Sequence, residues 1–102
     1  VVNFFDTASI YGEGQSERLL GEALRGTAKP VRVATKVPAK TMDWPAHPGL
    51  DVRKAFPTGW IIECTETSLK RLGMERVDLQ QMHIWTDAWV DAEEWRTAGE
   101  RP

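Results

Sequence analysis

A single cysteine, Cys64, supplies all the thiol chemistry in 102 residues. No internal disulfide can staple the fold, and that usage suits a reducing compartment such as the cytoplasm. Long apolar runs are missing too. The hydrophobic stretches have strand length, far short of the roughly 20 residues that cross a bilayer, so the chain reads as soluble with no membrane partner. Charge of one sign is absent: 13 basic and 15 acidic residues, net −2, are spread along the chain. Without a basic stripe to follow a phosphate backbone, nucleic acid is not an expected partner. Two glycine signatures are also lacking, GxGxxG and GxxxxGK(S/T), so the loop DTASIYGEG does not have the spacing of a phosphate cradle. His47, set among prolines, has no companions at metal-ligand spacing, and no metal is expected. There is no leader or initiator methionine before Val1 and Val2, and EEWRTAGERP reads as a helix just beginning; both boundaries read as interruptions of a longer protein.

What is present is an alternation of strand and helix signals, an α/β pattern. Val1 to Phe5 is β-branched and aromatic, the composition of a strand buried on both faces of a parallel sheet. After a loop with Gly12 and Gly14, the spacing predicts a helix over Ser16 to Leu24. Leu19, Leu20, Ala23 and Leu24 would form its apolar stripe, with Glu17, Arg18, Glu22 and Arg25 in water. Gly26 marks its end, and Pro30 leads into a second strand, Val31 to Val37, giving a βαβ unit with a right-handed crossover. The stretch from Pro38 to about Gly59 carries four prolines, which argues against regular structure, while Trp44 and Phe56 offer apolar anchors for an ordered excursion. A second helix is expected over Trp60 to Leu72, with Ile61, Thr65, Ser68, Leu69 and Leu72 on one face. On it Glu63, Glu66, Lys70 and Arg71 read as a solvated face, and Cys64 as a small packing residue. Gly73 closes it, and Val77 to His83 forms the third strand.

Four polar residues fall where these strands run out: Asp6 and, five residues on, Tyr11; then Lys36; then His83. Strands of a parallel sheet end at one face, so a carboxylate, a phenol, an ammonium and an imidazole should converge there. Singly, each has a plainer reading: a turn aspartate, a half-buried loop tyrosine, a snorkelling lysine, a hydrogen-bonded core histidine. Together they suit carbonyl reduction. Hydride addition puts negative charge on oxygen, which calls for a proton donor and a polar cradle. Tyr11 has an ordinary pKa of about 10, and a neighbouring ammonium, Lys36, would favour its phenolate and make it a better donor. Lys36 in turn needs a counter-charge, which Asp6 can give, and His83 can hold the carbonyl oxygen. General acid help of this kind is typically worth about 10² to 10⁴ in rate.

The strings NFFDTASIYGEGQSERLLGEAL, VATKV and SLKRLGMERVDLQQMHIW, in that order, resemble the aldo-keto reductase family from Val2 to about Trp85. The first string is the most specific, since it fixes Asp6, Thr7, Ala8, Tyr11, Gly12, Gly14, Ser16, Glu17, Gly21, Ala23 and Leu24 together. The resemblance implies a (β/α)8 TIM barrel, parallel strands alternating with helices, of which residues 1–102 would be a partial domain holding the second to fourth strands; a whole barrel takes about 250 residues. It implies an NADPH-dependent oxidoreductase, NADH not being excluded, acting on a small-molecule carbonyl or alcohol. Its catalytic tetrad would be Asp6, Tyr11, Lys36 and His83, with Asp6 also at the nicotinamide ribose and Trp85 joining Tyr11 and His83 around the substrate. The long stretch between Lys36 and His83 departs from compact members and is similar to a bacterial-type subgroup with a WPA.PG-like segment. An alternative from another class is an inactive truncated remnant, or a cofactor-sensing or interaction module on the same scaffold. Oligomeric state, substrate and direction stay open at this level.

Overall fold

Three strands, Phe4–Asp6 (β1), Arg32–Val37 (β2) and Leu79–Met82 (β3), form one sheet in spatial order β1-β2-β3. They come from a computed structural model that describes residues 3–27 and 30–89. Both pairings are parallel, with Asp6 opposite Ala34 in the first and Lys36 opposite Gln81 in the second. Between β1 and β2 runs helix α1 (Gln15–Leu24); between β2 and β3 come a one-turn helix α2 (Val52–Ala55) and the longer α3 (Thr58–Leu72). The helix expected at the carboxyl end, and the first two residues of the first strand, lie outside the described residues. None of the described helices is long and apolar enough to cross a membrane.

Alternation along the strands gives the sheet two different faces. Phe5, Val33, Thr35, Val37, Gln80 and Met82 point to the helix side, where Thr35 bonds Glu17 of α1 and Gln80 bonds Thr65 of α3. Phe4, Asp6, Lys36, Leu79 and Gln81 share the other side. Phe4 and Leu79 are exposed there.

The proline-rich stretch is where sequence and structure differ most. Four prolines allow one short helix after all, because α2 fits between Pro48 and Pro57 and its start is capped by Asp51, whose side chain accepts from the Arg53 amide at 2.9 Å. The stretch also builds the core: Leu50, Val52, Ala55 and Phe56 are buried with Val37, Ala39, Ile84 and Trp89, and Trp60, Ile61, Cys64 and Met82 pack against them. Phe56 is the anchor that its sequence suggested. Trp44 is not, being 72% exposed. Indole donors tie the excursion down from both sides, Trp60 Nε1 to the Pro38 carbonyl and Trp89 Nε1 to that of Leu50, each at 2.8 Å.

Helix α1 also reverses an expectation. Its buried residues are Glu17 and Gly21, while Leu19 of the presumed apolar stripe is exposed. The reason is a close helix crossing: a Cβ on Gly21 would lie 2.7 Å from the carbonyl oxygens of Arg71 and Leu72, so only glycine lets α3 come that near. On α3, Ser68 and Leu72 are buried as the spacing predicts, and the helix stops at Gly73, whose φ of 67° is left-handed.

Candidate active site

Lys36, at the end of β2, is the centre of the cluster. Its Nζ donates to Asp6 Oδ1 and to the Thr7 carbonyl, both at 2.9 Å. The parallel register allows this contact: Asp6 is the last residue of β1, and Lys36 is two residues beyond its partner Ala34 on the same face. The Lys36 side chain is 17% exposed and that of Asp6 53%. Gln81, opposite Lys36 in the register, donates from Nε2 to the same Asp6 Oδ1 at 3.3 Å. Both hydrogen bonds that Asp6 receives from described side chains thus end on one oxygen, and Oδ2 is left to accept from elsewhere.

Tyr11 arrives from the loop after β1. Backbone turns at Gly12, Glu13 and Gly14, all with positive φ, swing the chain from the strand end into α1. The Lys36 ammonium sits 5.4 Å from the Tyr11 ring centre, and the ring stands edge-on to His83 with centroids 5.7 Å apart. His83 extends β3, its amide donating to the Val37 carbonyl at 2.8 Å. Burial, and then the Lys36 charge, hold its imidazole below the ordinary value of 6.5. Its Nδ1 is shut away from solvent without a hydrogen-bond partner among the described residues. A neutral imidazole carries one donor and one acceptor nitrogen, so a ring held neutral here retains the polar capacity to bind an oxygen.

Tyr11 and His83 form one side of a cavity of about 250 Å³ whose other walls are Ile10, Pro38, Ala39, Met42, Asp43, Trp44 and Ile84. Trp85, proposed from sequence as a pocket wall, is not among them. Its ring instead packs edge-on against Trp89 at 5.6 Å, and its Nε1 donates to Asp87 at 3.3 Å. The aromatic wall is Trp44, edge-on to His83 at 5.4 Å. The sequence makes Trp44 look like a core anchor, and no local rule says that it folds back over a histidine thirty-nine positions on.

Sequence reasoning also missed three polar participants. Gln81 looked like a strand residue and nothing more. Glu17 and Arg71 were both placed in water, yet Glu17 is fully buried and Arg71 Nη1 donates to its Oε1 at 3.1 Å. Other polar groups stay apart from the cluster. His47 Nε2 comes only to 4.0 Å from Asp43, and no group of three metal-ligating side chains occurs among the described residues. The Cys64 thiol, half-buried on α3, is pushed up to about 11 by burial, with the Glu63 charge adding to it.

Comparison with known proteins places this geometry in context. The family model described as "Aldo/keto reductase family" matches residues 1–99. Aldo-keto reductase YhdN of Bacillus subtilis is 37% identical over 91% of this chain and 27% of its own length. The uncharacterized oxidoreductase Rv2298 of Mycobacterium tuberculosis is 42% identical over 80% of this chain and 21% of its own. Among solved structures, the holo form of an aldo-keto reductase from Bacillus halodurans superposes with a TM-score of 0.71 at 31% identity, covering 94% of this chain and 30% of that one. The chain therefore spans only about a fifth to a third of the length of these relatives, and its three parallel strands with their helices correspond to part of a barrel.

Proposed function

The chain belongs to the aldo/keto reductase family, and from that premise we propose that the intact barrel containing it reduces small aldehydes and ketones to alcohols with a nicotinamide cofactor, NADPH before NADH. The observation that carries this reading is the placement of Lys36, bonded to Asp6 on one side and 5.4 Å from the Tyr11 ring on the other, beside a cavity that Tyr11 and His83 both face. The cofactor would supply a hydride to the carbonyl carbon, and Asp6 is the residue here that fits it, since its Oδ2 accepts from no other described residue and could accept from a ribose hydroxyl.

A hydride supplied to the carbonyl carbon would leave negative charge on the carbonyl oxygen. Tyr11 gives its phenolic proton to that oxygen, and Lys36 stabilises the phenolate left behind. Asp6 holds the Lys36 ammonium in place. His83, neutral because it is partly buried beside an ammonium, orients the oxygen and adds a hydrogen bond that strengthens as charge develops. Reprotonation of Tyr11 from solvent completes the cycle. The walls contributed by Ile10, Met42, Trp44 and Ile84 favour an aryl or alkyl group on the carbonyl carbon over a charged one.

Tyr11→Phe tests the reading. In the intact protein it should lower kcat for an aryl aldehyde by about 10² or more, the scale of general acid catalysis, while NADPH affinity changes by less than about twofold. Retained turnover would remove Tyr11 as the proton donor.

A further inference from the structure

A carboxylate buried without compensation costs several kcal/mol or shifts to its neutral form, so the fully buried Glu17 needs an explanation beyond helix packing. Both its oxygens are engaged. Oε2 accepts from Thr35 Oγ1 at 2.7 Å and Oε1 from Arg71 Nη1 at 3.1 Å. The same Arg71 nitrogen donates to the Ser9 carbonyl at 3.2 Å. Ser9, two residues before Tyr11, uses its amide (3.3 Å) and its hydroxyl (3.0 Å) to bind the carbonyl of Lys36. Thr35 is the residue before Lys36, on the opposite face of β2.

The guanidinium of Arg71 therefore lies under the loop that carries Tyr11 and touches it at both ends. Ser9 is one end. Gly14 is the other, where a Cβ would fall 2.5 Å from Arg71 Cζ and 2.6 Å from its Nε. Arg71 reaches this place because α1 and α3 cross closely at Gly21.

We propose that Glu17, Arg71 and Thr35 form a positioning network that fixes the Ser9–Gly14 loop on the Lys36 backbone and so sets the Tyr11 hydroxyl against the Lys36 ammonium. This rests on the reductase reading above. The three residues touch neither the cavity nor the ammonium. Their effect passes through Ser9, and it follows from the steep dependence of proton transfer on geometry, in which a misplacement of about 1 Å can cost about 10²-fold in rate.

The experiment is steady-state reduction of 4-nitrobenzaldehyde by NADPH across pH, using the complete natural polypeptide and its Arg71→Lys and Thr35→Val variants. Lysine keeps the charge but not the planar head whose Nη1 serves Glu17 and Ser9 while its Cζ and Nε lie against Gly14; valine keeps the shape of threonine without its hydroxyl. The network predicts a fall in kcat of about tenfold or more for Arg71→Lys and a smaller fall for Thr35→Val. Both should leave NADPH affinity, read by fluorescence quenching, within about twofold, and both should move the pH limb of kcat that Tyr11→Phe abolishes. Substitutions that only loosened the fold would lower Tm and leave that limb in place. Wild-type kcat and an unmoved limb in both variants overturn the proposal. Should Arg71→Lys not fold, Thr35→Val decides it alone by the same limb. A wild-type protein with no turnover overturns the reductase reading and this network with it, whereas a working enzyme with unmoved variants overturns only the network.

Discussion

Lys36 Nζ and Asp6 Oδ1 meet at 2.9 Å although 30 residues separate them in the chain. Nothing local arranges this contact. It is a product of the parallel pairing of β1 with β2, which puts Asp6 and Lys36 on one face with Lys36 two residues further along its strand. Because Lys36 is mostly covered while Asp6 is about half exposed, the pair is better protected from solvent screening at the lysine than at the carboxylate.

Asp6→Asn should therefore act through Lys36. The amide keeps an acceptor for Nζ but removes the charge that fixes the ammonium in place, so Lys36 is held less firmly beside Tyr11. The expected outcome in the intact protein is a fall in kcat of about 10- to 100-fold, smaller than for Tyr11→Phe. NADPH affinity should also weaken, because the same residue is proposed to face the ribose. A kcat equal to wild type would show that Lys36 needs no counter-charge.

A pH effect follows from His83. Burial and the Lys36 charge lower its pKa in the folded protein relative to the ordinary 6.5. The unfolded chain then binds more protons than the folded one as pH drops below that value, so the stability that this site contributes is fully present above 6.5 and is lost as pH falls through the folded pKa. Its imidazole NMR titration should have a midpoint below 6.5, and Lys36→Met should move that midpoint upward by removing the repulsion. An unmoved midpoint would mean that the ammonium does not act on His83.

Much of this arrangement was legible in the residues, and the gaps have a common cause. Asp6, Lys36 and His83 could be found because strand ends in a parallel sheet share a face, and Tyr11 joined them through the motif string that resembles the aldo-keto reductases. Glu17 could not, because helical spacing sorts residues by polarity and predicts charge outward. It becomes interior only through Gly21, where two backbones approach, and through Arg71 54 positions away. Trp44 failed for a related reason: a tryptophan in a proline-rich stretch looks like core, and only the folded excursion shows that Phe56 and Trp89 already fill the core.

Two glycine substitutions separate packing from propensity. Gly21→Ala puts a methyl group 2.7 Å from two carbonyl oxygens that are helix backbone and cannot swing away. Such overpacking typically costs about 1–3 kcal/mol. Gly59→Ala lies in the first turn of α3 with nothing within 4 Å of the added Cβ, and exchanging glycine for alanine in a helix gains up to about 1 kcal/mol. Denaturant titration of the intact protein should give opposite signs for the two variants. Equal effects would mean that α1 and α3 do not cross closely at Gly21.

Trp44→Ala bears on what the cavity accepts. With 72% of its surface exposed, Trp44 contributes little to the core, so its removal should change stability by less than about 0.5 kcal/mol. Its edge-on contact with His83 and its place in the cavity wall point to a different loss. An aromatic partner is worth about 0.5–1.5 kcal/mol beyond area, so KM for an aryl aldehyde should rise by about two- to tenfold while that for a short alkyl aldehyde changes less. Trp85→Ala should behave in the reverse way, since Trp85 leans on the buried Trp89 and does not line the cavity. Comparing KM for the two aldehydes against Tm in both variants distinguishes a substrate wall from a packing residue, and a KM effect confined to Trp85→Ala would return the aromatic wall to the position directly following His83.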